Sequence, residues 1–169
     1  MENYTLKINS RFLPAIKKFM NQHKRCSEEV GLKCFTFEFH SDIYGEFITV
    51  FCDECDSYLQ LSQYYDNDMI EPIQENETTI IDNGEFSKDI IITILGEDEK
   101  NDINDFINKH KECSSTSTGG RQNYYVTFNN DGSLFLGVQC SHCEELIEGI
   151  IPKESWSIEY DADINKDFE

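Results

Sequence analysis

Eight residues of this chain have the types and spacing to hold metal. His23, Cys26, Cys52 and Cys55 read H-x2-C, 25 intervening residues, then C-x2-C; His110, Cys113, Cys140 and Cys143 read H-x2-C, 26 intervening residues, then C-x2-C. The two sets lie 87 to 88 residues apart, ligand for ligand. Thiolate and imidazole are the donors a tetrahedral zinc ion prefers, and three Cys with one His make a closed structural set. Two such sets predict two structural Zn2+ ions per chain. Residues three apart share a helix face, so each H-x2-C can project both ligands from a last helical turn. A C-x2-C at a strand end can turn both sulfurs toward that point. The metal would then staple a helix terminus to a hairpin, which suits modules too small for a generous core.

Other readings of these residues carry less. A C-x2-C pair in thioredoxin-like redox chemistry opens a helix in a βαβ unit, whereas here each pair closes a strand. His23 and His110 as ordinary core histidines would leave the repeated cysteines unexplained. The seventh cysteine, Cys34, has no counterpart in the second set and reads as a small buried hydrophobe. His142, inside the second C-x2-C, is expected to face solvent and is the substitute ligand should His110 not bind.

The elements that must position these ligands repeat as well. Tyr4–Ile8 alternates as a strand, Ser10 is an expected N-cap, and Pro14 suits a first helical turn. Phe12, Ile16, Phe19, Met20 and His23 share one face of a helix expected over about 11–25. Strands follow over 35–39, 46–51 and 58–61, the middle one running into Cys52. The acidic stretch 66–88 reads as a connection, with a short strand at 78–81 and a turn at Asp82-Asn83-Gly84. Then the order returns: an apolar strand over 89–95, and a helix placing Ile103, Phe106, Ile107 and His110 together. A polar loop at 114–120 precedes a hairpin of 124–128 and 133–139 over Asn129–Gly132, then Cys140. A return strand at 144–152 and an alternating strand at 156–160 complete the second copy. Phe19 matches Phe106, Ile16 matches Ile103, and Val50 matches Val138.

The fold class this predicts is α+β: two tandem copies of a zinc-stapled strand, helix, hairpin and return-strand module, packed together or sharing a sheet. The expected division is module 1 over 1–65, an acidic connection over 66–88, module 2 over 89–160 and an acidic tail over 161–169.

A chain of 169 residues with 38% hydrophobic residues, twelve Phe and eight Tyr can bury a real core. Its net charge of −19 is uneven. Residues 1–34 hold seven Lys and Arg against three Glu, 35–105 two Lys against nineteen acids, and 106–169 five Lys and Arg against eleven acids. Such a surface repels phosphate backbones and attracts a cationic partner. The one basic element is the helix over 11–25, where Lys and Arg late in the helix also suit its dipole.

Catalytic patterns are lacking. Both metal sets are closed by four protein ligands; His23 is followed by Lys24-Arg25 and His110 by Lys111-Glu112, but no proline precedes either C-x2-C, so the full zinc deaminase signature is missing, as are H-E-x-x-H, G-x-S-x-G and a phosphate-binding glycine loop. The N-terminal residues show no export signal and no stretch long enough to span a membrane. The expectation is a non-catalytic, cytoplasmic, acidic zinc protein that binds a basic protein partner, as an inhibitor or immunity-type protein would, including one that mimics nucleic acid against a nuclease-like target. The alternatives are a zinc-based redox or metal sensor, and a nucleic-acid-binding module using helix 11–25. The charge disfavours nucleic acid, no membrane role is expected, and the oligomeric state is open.

Overall fold

The computed structural model describes residues 3–23, 26, 35–41, 45–64, 70–73, 89–113 and 122–159, and they form a mixed α+β fold. Strand β1 (Tyr4–Ile8) turns Ile8 into the core. A 3-10 turn at Ser10–Phe12 leads into helix α1 (Leu13–Gln22), with Pro14 in its first turn as expected. The 3-10 turn is capped by Asn9 rather than Ser10, and α1 itself starts after Phe12 without a side-chain cap. Asn9 is extended, so its side-chain oxygen reaches the Arg11 amide at 3.0 Å, while the Ser10 amide donates to Asp89 at 2.7 Å. The helix ends at Gln22, short of the expected 25, because His23 leaves helical geometry at φ −100° and ψ 13°.

Four strands follow: β2 (Phe35–Ser41), β3 (Gly45–Cys52), β4 (Tyr58–Tyr64) and β5 (Ile70–Ile73). The last is a correction, since the sequence reads that region as connection; Pro72, which lacks an amide hydrogen, fits only because β5 is an edge strand. The second half comprises β6 (Ile90–Ile94), α2 (Glu97–Lys109), β7 (Gln122–Phe128), β8 (Leu134–Cys140), β9 (Leu146–Ile151) and β10 (Trp156–Glu159). Cys34, Lys24, Arg25, the strand and turn expected over 78–84, the loop 114–120, Tyr160 and the tail 161–169 lie outside the described residues.

The halves share both sheets. A three-stranded antiparallel sheet has the order β1-β6-β10, and a seven-stranded antiparallel sheet the order β5-β4-β3-β2-β7-β8-β9. Hairpin β2–β3 sets Phe35 opposite Cys52, and hairpin β7–β8 sets Gln122 opposite Cys140. These partners are 17 and 18 positions apart, so the one-residue difference between the metal sets is absorbed within the hairpin. The second hairpin turns at Gly132, whose φ of 86° favours glycine, and the Asp131 carboxylate accepts from the Ser133 amide and hydroxyl. Where the halves meet, Glu38 pairs with Tyr125, 87 positions later, so residues at the repeat interval face each other across β2 and β7, and β1 pairs antiparallel with β6. The larger sheet is therefore arranged about an approximate two-fold axis through the Glu38–Tyr125 pair.

Alternation along the strands directs one face of each sheet inward. Phe37, Val50, Leu59, Leu61, Val126 and Leu134 of the larger sheet join Ile8, Ile92 and Ile94 of the smaller one, together with Ile16, Phe19, Ile103 and Phe106 of the helices, in one core. Phe128 links the layers, touching Phe37 on β2 and Trp156 on β10. The return strands diverge beyond that core. Chain after β4 adds β5 to the sheet edge, whereas chain after β9 leaves to form β10 beside β6. Among the described residues, no helix is long and apolar enough to cross a membrane.

Candidate metal centres

Each helix delivers a histidine as its C-cap. His23 and His110 take nearly the same backbone angles (φ −100°, ψ 13° and φ −102°, ψ 13°), and each ring packs, tilted by 43° and 41°, against the phenylalanine four residues earlier at 4.4 Å between centroids. That packing on Phe19 and Phe106 fixes the imidazole orientation. The chain then turns back: the Cys26 amide donates to the His23 carbonyl and the Cys113 amide to the His110 carbonyl, at 3.0 and 3.1 Å.

The cysteine pairs are equally alike. Cys52 and Cys140 end β3 and β8 and are buried, while Cys55 and Cys143 are exposed. The Asp56 and Glu144 amides donate back to the Cys52 and Cys140 carbonyls, at 3.1 and 2.9 Å. Asp56 and Glu144 both take positive φ, at 58° and 63°, and just after them the Ser57 and Glu145 carbonyls accept from the Cys52 and Cys140 amides, both at 2.9 Å. Two non-glycine residues in left-handed geometry at equivalent places mark a turn held by its surroundings.

The structure brings together all eight predicted ligands. His23, Cys26, Cys52 and Cys55 form one group and His110, Cys113, Cys140 and Cys143 the other, with donor atoms in each within 4.8 Å of one another, so each group could hold a metal ion. In both, histidine presents Nδ1: Cys26 and Cys55 Sγ lie 3.5 and 3.3 Å from His23, and Cys113 and Cys143 Sγ lie 3.7 and 3.4 Å from His110. His142 is exposed and belongs to neither group.

The electrostatics of both groups suit a cation. Cys55, which accepts hydrogen bonds from the Ser57 side chain and amide, is held down to about 6. Its neighbour Cys26, hydrogen-bonded to Cys55 and packed among sulfurs, is pushed up to about 11. Burial, then Cys140 and Cys143, likewise push Cys113 up to about 11. Three crowded thiols cannot all ionise unless positive charge sits between them, and binding a metal supplies it while releasing protons.

Sequence reasoning missed Glu145. His110 Nε2 is buried without a hydrogen-bond partner among the described residues, yet Glu145 Oε2 lies 3.4 Å away. The alignment is too poor for a hydrogen bond, so the two groups face each other without one. Lys109 holds the other Glu145 oxygen. A carboxylate facing the far nitrogen of a ligating histidine is the usual outer support of a metal site. Its only signal was an acid two residues after the last ligand, in a chain full of acids. In the first half the matching residue, 88 positions earlier, is Ser57.

Comparison with protein families, with curated proteins and with solved structures found no match to this chain.

Proposed function

We propose that this chain is a non-catalytic, acidic interaction protein made of two zinc-stapled halves of one duplicated module, which binds a basic surface of a protein partner. The donor geometry supports zinc. A tetrahedral ion with bonds of about 2.3 Å to sulfur and about 2.0–2.1 Å to nitrogen holds those donors about 3.6 Å apart. The four Nδ1–Sγ separations given above run from 3.3 to 3.7 Å. Four protein donors close each site, leaving no position for a reacting water, so the ions serve the fold. Each staples a helix end to a strand end. Placing the divisions at 1–65 and 89–160 follows the ligand sets, with the halves joined through β2–β7 and β1–β6.

The partner follows from charge. A net −19 in a chain of 169 residues is the single observation that carries it. Such a surface accelerates encounter with a cationic protein and disfavours phosphate. The sharpest form is a cytoplasmic inhibitor or immunity-type protein that covers the substrate- or nucleic-acid-facing surface of its target. Affinity capture with the tagged full chain from its host, followed by salt elution and inhibition assays, tests this. One stoichiometric basic protein, released by salt and inhibited by the chain, supports the reading. Nucleic acid in the eluate, or capture without inhibition, overturns the inhibitor form.

A further inference from the structure

The approximate two-fold relation makes the two ends of the seven-stranded sheet comparable, and they differ. On the β4 end, β5 adds antiparallel, pairing Gln60, Leu61, Ser62 and Gln63 with Ile73, Pro72, Glu71 and Ile70. Leu61 pairs with Ile48, and Gly149 pairs with Leu136, which lies 88 positions after Ile48, so Gly149 of β9 stands where β4 has Leu61. By the same relation, the segment Glu148–Ile151 corresponds to the part of β4 that β5 covers. Among the described residues, nothing pairs with the outer edge of β9.

The exchange of side chains leaves space. Leu61 is fully buried, whereas a Cβ built on Gly149 meets no atom within 4 Å. Beside it runs a groove of about 520 Å³ between α2 and β9. Its floor is apolar, from Ile103, Phe106, Leu136, Val138 and Ile147. Its rim is acidic, from Asp98, Glu99, Asp102 and Asp105 on α2 and Glu148 on β9. Lys109, at the metal end, is engaged by Glu145.

We infer that β9 and this groove receive a strand from a basic protein partner, whose backbone pairs with Glu148–Ile151 as β5 pairs with β4, and whose alternate side chains are apolar and cationic. The inference rests on the basic-partner reading and locates it. An edge strand offers unpaired amides and carbonyls, and strand addition uses them while pockets select the side chains. An apolar side chain of the guest takes the space that Leu61 fills in the first half, the lysines or arginines alternating with it fall on the face of β9 that carries Glu148, and the α2 carboxylates add to the field that draws a cationic strand in. A second copy of this chain would set one acidic rim against another, and the residues 160–169 carry Asp161, Asp163, Asp167 and Glu169 against the single Lys166, so charge opposes both as occupants.

The test uses the metal-loaded full chain and a synthetic peptide of about ten residues alternating lysine and valine, a length that matches ordinary strands. A peptide of equal charge with prolines at alternate positions cannot form the ladder. The alternating peptide is expected to protect the Glu148–Ile151 amides from hydrogen exchange and to bind at least about tenfold more tightly than the proline peptide. Gly149→Leu, which restores the side chain of the first half without changing charge, should weaken the alternating peptide at least about tenfold while the melting temperature does not fall. Equal binding of both peptides to both proteins would overturn the groove and leave a cationic partner for the acidic surface. No binding of either peptide at low salt would overturn both. Protection of the same amides in the free chain would overturn the proposal, and sedimentation would tell a second copy from the chain's own residues as the cover.

Discussion

Replacing Cys140 by serine tests the stapling directly. Cys140 ends β8 at 2% exposure, with its amide bonded to the Glu145 carbonyl, and its sulfur is one of four donors in the second group. Serine preserves the size but stays neutral at pH 7, leaving three donors. A ligand that binds only the folded chain stabilises it through mass action, so with free zinc buffered a thousandfold above its dissociation constant the loss is about 4 kcal/mol. In a chain of 169 residues, each kcal/mol moves the melting temperature by about 2–4 °C, so the expected fall is about 8–16 °C. Calorimetry in zinc-buffered solution would read it, alongside metal content by mass spectrometry, where one of the two ions should be lost. Cys52→Ser should behave alike. His142→Ala, inside the same cysteine pair but exposed and outside the donor set, should change neither quantity. Full metal content and unchanged melting in both serine variants would refute the reasoning.

Glu145→Gln should weaken the second site about 10- to 100-fold and leave the first untouched, as read by competition with a zinc-sensitive dye; equal affinities would remove Glu145 from the site. Burial raises the Glu38 carboxyl above its ordinary 4.5, more than the Tyr125 hydroxyl opposite lowers it. The folded chain therefore holds that proton more tightly than the unfolded one, and stability is lost as pH rises through the raised folded value. Glu38→Gln should accordingly melt higher than the parent at pH 7, with the gain vanishing below pH 4.5; a gain independent of pH would point to packing instead. Gly132→Ala should cost about 1 kcal/mol in denaturant unfolding, because a φ of 86° strains any residue with a Cβ.

The two donor groups were legible because two short motifs recur 87 to 88 positions apart, and the helices because His23 and His110 extend apolar stripes whose members Phe19 and Phe106 are buried. The hairpins announced themselves by alternation and by Asn129–Gly132. The β5 strand was hidden because four residues containing a proline, within an acidic stretch, carry no periodic signal; only the free edge of β4 makes them a strand. Pairing of β2 with β7 is equally silent, since Glu38 and Tyr125 are 87 positions apart and either hairpin could have presented either edge. The same holds for the groove: Gly149 is one of nine glycines until its register beside Leu136 shows what it replaces.

The contacts on the approximate axis bear on how such a chain could arise. Two separate copies of one half, assembled symmetrically, must set each axial residue against itself. Glu38 would then face a second glutamate across adjacent strands, half-buried, where like charges repel; tyrosine facing tyrosine would be tolerated. Joining the halves in one polypeptide lifts that restriction, because the two axial positions become separate codons. Here one is glutamate and the other tyrosine, so the repulsion that two copies of the first half would meet at this seam is absent.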